Sequence, residues 1–171
     1  MAITRLGGAN AITGTLPAAN INDTSIGNIT ALPAGVGGKV VQVVSSGVAT
    51  PATINSTSYV LAISLAITPS SASNKIFIKL DGGYQQDDAN GYSSQTKLTQ
   101  TIGGTETEIF EQTTGTDITE GVAYNTPNFA YLDTTNTTSE VTYKVYGKTS
   151  NSSSDWRIRE QTMLNAFEIL G

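Results

Sequence analysis

From Lys39 onward the chain falls into short runs in which apolar and polar residues alternate, separated by clusters of Thr, Ser, Asn and Gly. A period of two places successive side chains on opposite faces of a strand. KVVQVVSS (39–46) is β-branched and predicts a first strand, and residues 47–56 predict a turn. SYVLAISLAI (58–67) puts Leu61, Ile63, Leu65 and Ile67 on one face, with Ala62, Ser64 and Ala66 on the other. TPSSASN (68–74) predicts a loop. KIFIKL (75–80) turns Ile76, Ile78 and Leu80 inward and both lysines outward. Residues 81–94 carry turn chemistry and predict a long connection. QTKLTQTI (95–102) and ETEIFEQ (106–112) flank Gly103-Gly104, which predicts a hairpin. Residues 113–126 are ambiguous, with a weak strand near Ile118 or Val122 as one reading. NFAYLD (128–133), EVTYKVYG (140–147), WRIREQ (156–161) and MLNAFEIL (163–170) complete the series.

This pattern holds eight or nine short strands and no helix. It predicts an all-β protein, an antiparallel jelly-roll-like β-sandwich spanning residues 38–171. The last strand is apolar on both faces: Leu164, Ala166 and Leu170 on one, shared with Glu168, and Phe167 and Ile169 on the other. Such a strand is central in a sandwich or buried between subunits, which makes Phe167 and Ile169 a candidate subunit interface.

Residues 1–37 are different. Ile3, Leu6, Ile12, Leu16, Ile21, Ile26, Ile29 and Leu32 recur every three to six residues among small and polar neighbours. Gly7, Gly8, Gly14, Pro17, Gly27 and Pro33 exclude a continuous helix. A segment of this kind has no means of burying its apolar side chains against itself. It is either a disordered tail or an extended arm anchored on a partner, one side chain at a time, and we expect the arm. Gly35, Gly37 and Gly38 are expected to be the hinge between arm and domain. The chain stops almost directly after its last strand, so attachment is expected at the N-terminal end.

Composition narrows the function. The 171 residues fit one domain plus an arm. Charged residues make up 13% and hydrophobic residues 38%, which suits a modest sandwich core and not a disordered polyelectrolyte. The net charge is −5, with nine Lys and Arg scattered along the chain, so no phosphate-neutralising patch is expected and no nucleic-acid partner. No run approaches the roughly 20 apolar residues of a spanning helix, and no membrane partner is expected. The N-terminus lacks the apolar core of a signal peptide. The Asn-x-Ser/Thr triplets at Asn22, Asn28, Asn55, Asn136 and Asn151 are those expected by chance in a chain rich in these residues.

Histidine and cysteine are both absent. That removes the usual general base, the Ser-His-Asp triad and most transition-metal sites. Neither an enzymatic activity nor a cofactor is expected. Two carboxylate groupings, Asp87-Asp88 and Glu106-Glu108-Glu111, have the residue types of a glycosidase. The glutamates interleave with Thr107 and Ile109, however, as on a solvated strand face. Asp81, Asp87, Asp88 and Asn90 offer oxygen ligands for Ca²⁺, but their spacing is not that of an EF-hand, and a polar loop is the simpler reading. Gly35-Val36-Gly37-Gly38-Lys39 lacks both the spacing and the Ser/Thr of a phosphate loop. Trp156, beside Arg157 and Arg159, either stacks on a sugar or, in phase with Ile158, fills the core; the phase favours the core. Tyr84, Tyr92 and Tyr124 either contact a glycan or pack, and the sequence does not separate these.

Three segments carry a family likeness: Ile67-Thr68-Pro69 through Ile76, Tyr131-Leu132-Asp133 through Val145, and Phe167-Glu168-Ile169. In this order the chain resembles the small β-sandwich domains of tail fibres, head fibres and decoration proteins of tailed phages, particularly marine ones. The opening ITRLGGANAITGTLPAANI is similar to the N-terminal arms of such virion proteins. The resemblance spans most of the chain, though its motifs are structural and tolerant of change. It implies a homotrimer located in the virion. The chain departs from long fibres in having no heptads and no repeats. That departure points to a capsid decoration (cement) protein whose arm binds the major capsid protein or other virion proteins. The alternative is a short tail-fibre module adhering to host polysaccharide.

Overall fold

The computed structural model describes residues 39–48, 50–82, 84–88, 93–115, 122–126, 128–153 and 155–171, with the backbone alone for 84–88, 114–115 and 122–125. The chain separates into two units, Met1–Gly38 and Lys39–Gly171, and every described residue belongs to the second. Twelve strands run through it: β1 (Val40–Gly47), β2 (Ala52–Ile54), β3 (Val60–Ile67), β4 (Lys75–Asp81), β5 (Tyr84–Asp88), β6 (Ser93–Ile102), β7 (Thr105–Gly115), β8 (Val122–Asn125), β9 (Phe129–Asp133), β10 (Val141–Thr149), β11 (Asp155–Ile158) and β12 (Met163–Ile169). Nine of these match strands predicted from the sequence. β8 resolves the ambiguous stretch in favour of Val122. β2 and β5 fall where a turn and a long connection were expected.

All pairing is antiparallel, in three four-stranded sheets. The first has the order β1-β12-β4-β9 and the second β3-β10-β6-β7. With β2, β5, β8 and β11 set aside, the eight long strands pair first with last in one sheet and second with second-last in the other. This is the double Greek key of a jelly roll. The four remaining strands form a third sheet, β2-β11-β5-β8. Each lies in one of the connections β1–β3, β4–β6, β7–β9 and β10–β12. Register brings those connections to one end of the sandwich, since Gly47 faces Met163, Met163 faces Asp81, and Ser94 faces Thr149. The two strands missed by sequence, β2 and β5, therefore join the predicted β11 and the ambiguous β8 in one object, a small sheet capping one end. β2, at three residues, is too short for alternation to mark it, and YQQDD of β5 has no alternation.

The interior is set by the alternation. Ile76, Ile78, Leu80, Leu164 and Ala166 of the first sheet face Ile63, Leu65, Ile67, Leu98, Val141, Tyr143 and Val145 of the second. The capping sheet adds Ile54, Trp156 and Ile158. Trp156 is fully buried and its indole N–H donates to Thr96 Oγ1 at 2.9 Å, so the core reading of this residue stands. A Cβ on Gly147 would lie 2.4 Å from the indole ring, so β10 must carry glycine there. At the other edge Phe110 of β7 meets Phe129 and Tyr131 of β9, with centroids 5.3 and 6.0 Å away.

Two expected details change. Leu61 does not share the inner face with Ile63. The pairing of β3 with β10 skips Ala62, and Leu61 stands opposite Tyr146, 49% exposed. Leu170 lies beyond the end of β12 and is exposed, while Glu168 holds the inner position. Gly103 and Gly104 both take positive φ, 58° and 85°, and form the two-residue turn between β6 and β7.

Candidate functional site

The outer face of the first sheet carries an apolar row. Val43 pairs with Phe167, Phe167 with Phe77, and Phe77 with Leu132, so one line of side chains crosses all four strands. Val43 is 54% and Leu132 49% exposed. The two phenylalanines lie between them, half-buried, with ring centroids 6.0 Å apart. Val40 pairs with Ile169 next to this row, and Val41 beside it is also exposed. Contiguous apolar surface of this kind makes this face the candidate interaction site, because leaving it in water forgoes about 25 cal/mol per Å². Phe167 and Ile169, the candidate interface, both belong to this face. Sequence reasoning missed Val43, Phe77 and Leu132, which only the cross-strand register brings into line with them.

The face ends where the chain enters the domain. The Leu170 N–H donates to the Lys39 carbonyl at 2.8 Å, tying the last strand to the residue before β1. Just inside, the Glu168 side chain is fully buried. It accepts hydrogen bonds from the Ser70 N–H at 2.6 Å, Ser70 Oγ at 2.7 Å, Asn74 Nδ2 at 2.6 Å and Gln42 Nε2 at 2.6 Å. Burial pushes its carboxyl up, but the donors from Asn74, Ser70 and Gln42 outweigh this and hold it below the ordinary carboxylate value. One acid thus stitches β1, β12 and the 68–74 loop together.

The capping end bears an open groove of about 490 Å³ beside β2 and β11, lined by Thr53, Arg157, Arg159, Glu160 and Gln161 among others. Arg157 is paired with Asp155. The turn that follows is held by Thr162 N–H to Arg159 O at 3.1 Å and Arg159 N–H to Thr162 Oγ1 at 3.2 Å. Gln161 adopts φ 74° within it, and Gly82 (φ 87°) fits beneath, where a Cβ would meet the Gln161 carbonyl at 2.9 Å.

The outer face of the second sheet is polar and paired within itself. Glu106 accepts from Lys144 Nζ, from Tyr146 Oη at 2.8 Å and from Thr99 Oγ1 at 2.9 Å. Lys144, then Tyr146, depress the Glu106 carboxyl to about 2. Lys97 and Lys148 stand over the Tyr59 ring at 4.1 and 4.4 Å, and Lys97 lies 3.9 Å from Glu108. These glutamates occupy an exposed strand face, as their alternation predicted.

Other candidates lie outside the described residues. These are the arm positions Ile3, Leu6, Ile12, Leu16, Ile21, Ile26, Ile29 and Leu32, the hinge Gly35, Gly37 and Gly38, and also Asn90 and Tyr92. Asp87, Asp88, Tyr84 and Tyr124 are described by backbone only, within β5 and β8. Among the described residues no three acidic side chains converge to hold a metal ion, and no helix is long and apolar enough to cross a membrane.

No family model and no curated protein sequence matches the chain. Solved structures that it is similar to include the infectious bursal disease virus Gx strain, at 16% identity and TM-score 0.45, covering 76% of this chain and 32% of that one. The VP2 subviral particle of the same virus is similar at 14% identity and TM-score 0.45, over 76% and 32%. The Gt strain structure is similar at 15% identity and TM-score 0.46, over 76% and 38%. The chain spans about a third of the length of these structures' chains.

Proposed function

We propose that the protein is a structural component of a phage virion, a capsid decoration (cement) protein that clamps neighbouring capsid subunits. The observation that carries this reading is the apolar row Val43–Phe167–Phe77–Leu132 across an otherwise complete jelly roll. A sandwich whose core is already closed has no internal use for such a face, whereas an assembly part does. The likeness of the IT(P), YLD and FEI segments to phage virion domains supports the same reading by analogy. In this account the protein is a homotrimer that works by binding and not by catalysis. Phe167 and Ile169 lie in the trimer contact, and the arm, residues 1–37, anchors on the major capsid protein. Each anchor buries a small area, and several act together by multivalent attachment. Deleting residues 2–33 is expected to abolish particle binding while leaving a folded, associated protein. Full occupancy by the truncated protein would contradict the proposal.

A second reading is supported by the groove at the capping end. Its size suits a small ligand, and its lining by Thr53, Arg159, Glu160 and Gln161 suits a polar one. On this reading the chain is a short tail-fibre module that adheres to host surface polysaccharide. Glycan binding lost in Arg159→Ala, with the fold intact, favours it; equal binding by the variant removes it.

A further inference from the structure

Among the described residues two carboxylates are buried, and their surroundings differ. Glu168 accepts four hydrogen bonds. Asp133, 6% exposed, accepts one, from Tyr143 Oη at 2.7 Å. Burial, then Asp133 itself, push the Tyr143 phenol up, so it remains a neutral donor. A carboxylate taken out of water needs its charge answered by donors or by a cation. One neutral hydroxyl answers only part of it.

Oxygen atoms gather round Asp133. β9 packs across from β7, where Phe110 meets Phe129 and Tyr131, and β6 lies between β7 and β10. The bond from Tyr143 on β10 to Asp133 on β9 therefore crosses over β6. Gln100 stands opposite Tyr143 in that strand, on the same inner face. Its Oε1 is buried with no hydrogen-bond partner among the described residues. Thr135, 8% exposed, lies two residues beyond Asp133, with the exposed Thr134 between them. Its Oγ1 is likewise buried and unpartnered among the described residues. The group sits at the end opposite the capping sheet, since Asp133 faces Ile76 near the start of β4 and Ile102, two residues past Gln100, ends β6.

A carboxylate cannot serve the Gln100 carbonyl, and the Thr135 hydroxyl can donate to only one of the two. A hard cation is shared by every oxygen around it. Ca²⁺ takes about six to eight oxygens, water among them, in adaptable geometry. We infer that Asp133, Gln100 and Thr135 are protein ligands of a Ca²⁺ site inside this end of the sandwich. It needs one acid and not three, because its other ligands are neutral. A single carboxylate puts it at the weak end of Ca²⁺ affinities, with Kd on the order of 10⁻³ M. The ion ties β9 and the segment after it to β6, and so joins the two sheets. The site is independent of the virion reading.

The test follows thermal unfolding of the full chain in about 10 mM CaCl₂ against NaCl of equal ionic strength. The midpoint should rise by about 3–6 °C. Asp133→Asn, which keeps the size and removes the charge, should lose the shift. Thr135→Val, which keeps the shape and removes one oxygen, should weaken Ca²⁺ binding by about tenfold and lose most of it. Thr135→Val carries the test if circular dichroism shows that Asp133→Asn does not fold. The double variant Asp87→Asn/Asp88→Asn, in the capping sheet, should keep the full shift. Tb³⁺ gives a readout apart from stability: its emission, excited through Tyr143, should be displaced by Ca²⁺ and be weakened in Thr135→Val. Four results would each overturn the inference: no shift in the wild type, a full shift in Thr135→Val, a shift lost in the Asp87 and Asp88 variant, or an equal shift with Mg²⁺. The last would mean charge screening, because Mg²⁺ demands a near-ideal octahedron.

Discussion

The two outer faces of the sandwich are built on the same alternation and end in opposite chemistry. On the second sheet the outward positions are Thr, Lys, Glu and Tyr, and they find one another: Glu106 holds Lys144, Tyr146 and Thr99, and Lys97 and Lys148 lie on Tyr59. On the first sheet the outward positions opposite one another are Val43, Phe167, Phe77 and Leu132. The second face is finished in water, whereas the first leaves apolar area to bury. The difference teaches which face an assembly contact would use: the first sheet's, where the outward positions in line are apolar.

The comparison assumes one interior beneath both faces, and the largest predicted effect tests that. Trp156→Ala should destabilise the domain by about 3–5 kcal/mol, because the indole fills a site shaped by Gly147 and bonded to Thr96. Urea unfolding should remain a single transition. A loss below about 1 kcal/mol would mean that the capping sheet is not part of the common core.

Next comes the buried acid under the first face. Glu168→Gln keeps the size but misdirects an amide toward donors, and should cost about 1–3 kcal/mol by thermal or urea unfolding. The sign with pH follows from its lowered folded-state value. The stabilisation is full above the ordinary 4.5 and drains away as pH falls below it. The variant's stability should accordingly be flatter than the wild type's on the acid side.

Glu106 on the second face is the exposed counterpart. Its carboxyl sits at about 2 against an ordinary 4.5, so its contribution is present above 4.5 and is lost between 4.5 and 2. Being solvent-screened, Glu106→Gln should cost at most about 1 kcal/mol and less in high salt. A Glu106 effect equal to that of Glu168 would erase the distinction between the finished face and the stitched interior. The smallest effect belongs to Val43→Thr. Unfolding free energy should stay within about 0.5 kcal/mol of wild type while retention on an apolar column falls.

Much of the fold was legible because long strands show their period. KIFIKL, SYVLAISLAI and MLNAFEIL gave the inner faces almost residue by residue, and Gly103-Gly104 gave the hairpin. The capping sheet was legible only in β11, since β2 and β5 owe their strand state to pairing with it, and β8 to pairing with β5, and not to local pattern. Leu61 was misassigned because a skipped residue in pairing reverses the face and leaves no trace in the sequence. The candidate interface was half legible. Phe167 and Ile169 stood out on a two-faced strand, but Val43, Phe77 and Leu132 become a surface only through register. Glu168 shared a face with Leu164 and Ala166 in the sequence, yet its donors come from the distant Gln42 and the 68–74 loop.

The central claim is that this chain is a decoration protein of the capsid, and copy number in purified particles tests it most directly. Quantitative mass spectrometry should find the protein in fixed proportion to the major capsid protein, one trimer for each local arrangement of capsid subunits that it clamps. A number matching a single tail structure, or absence from the particle, would contradict the account.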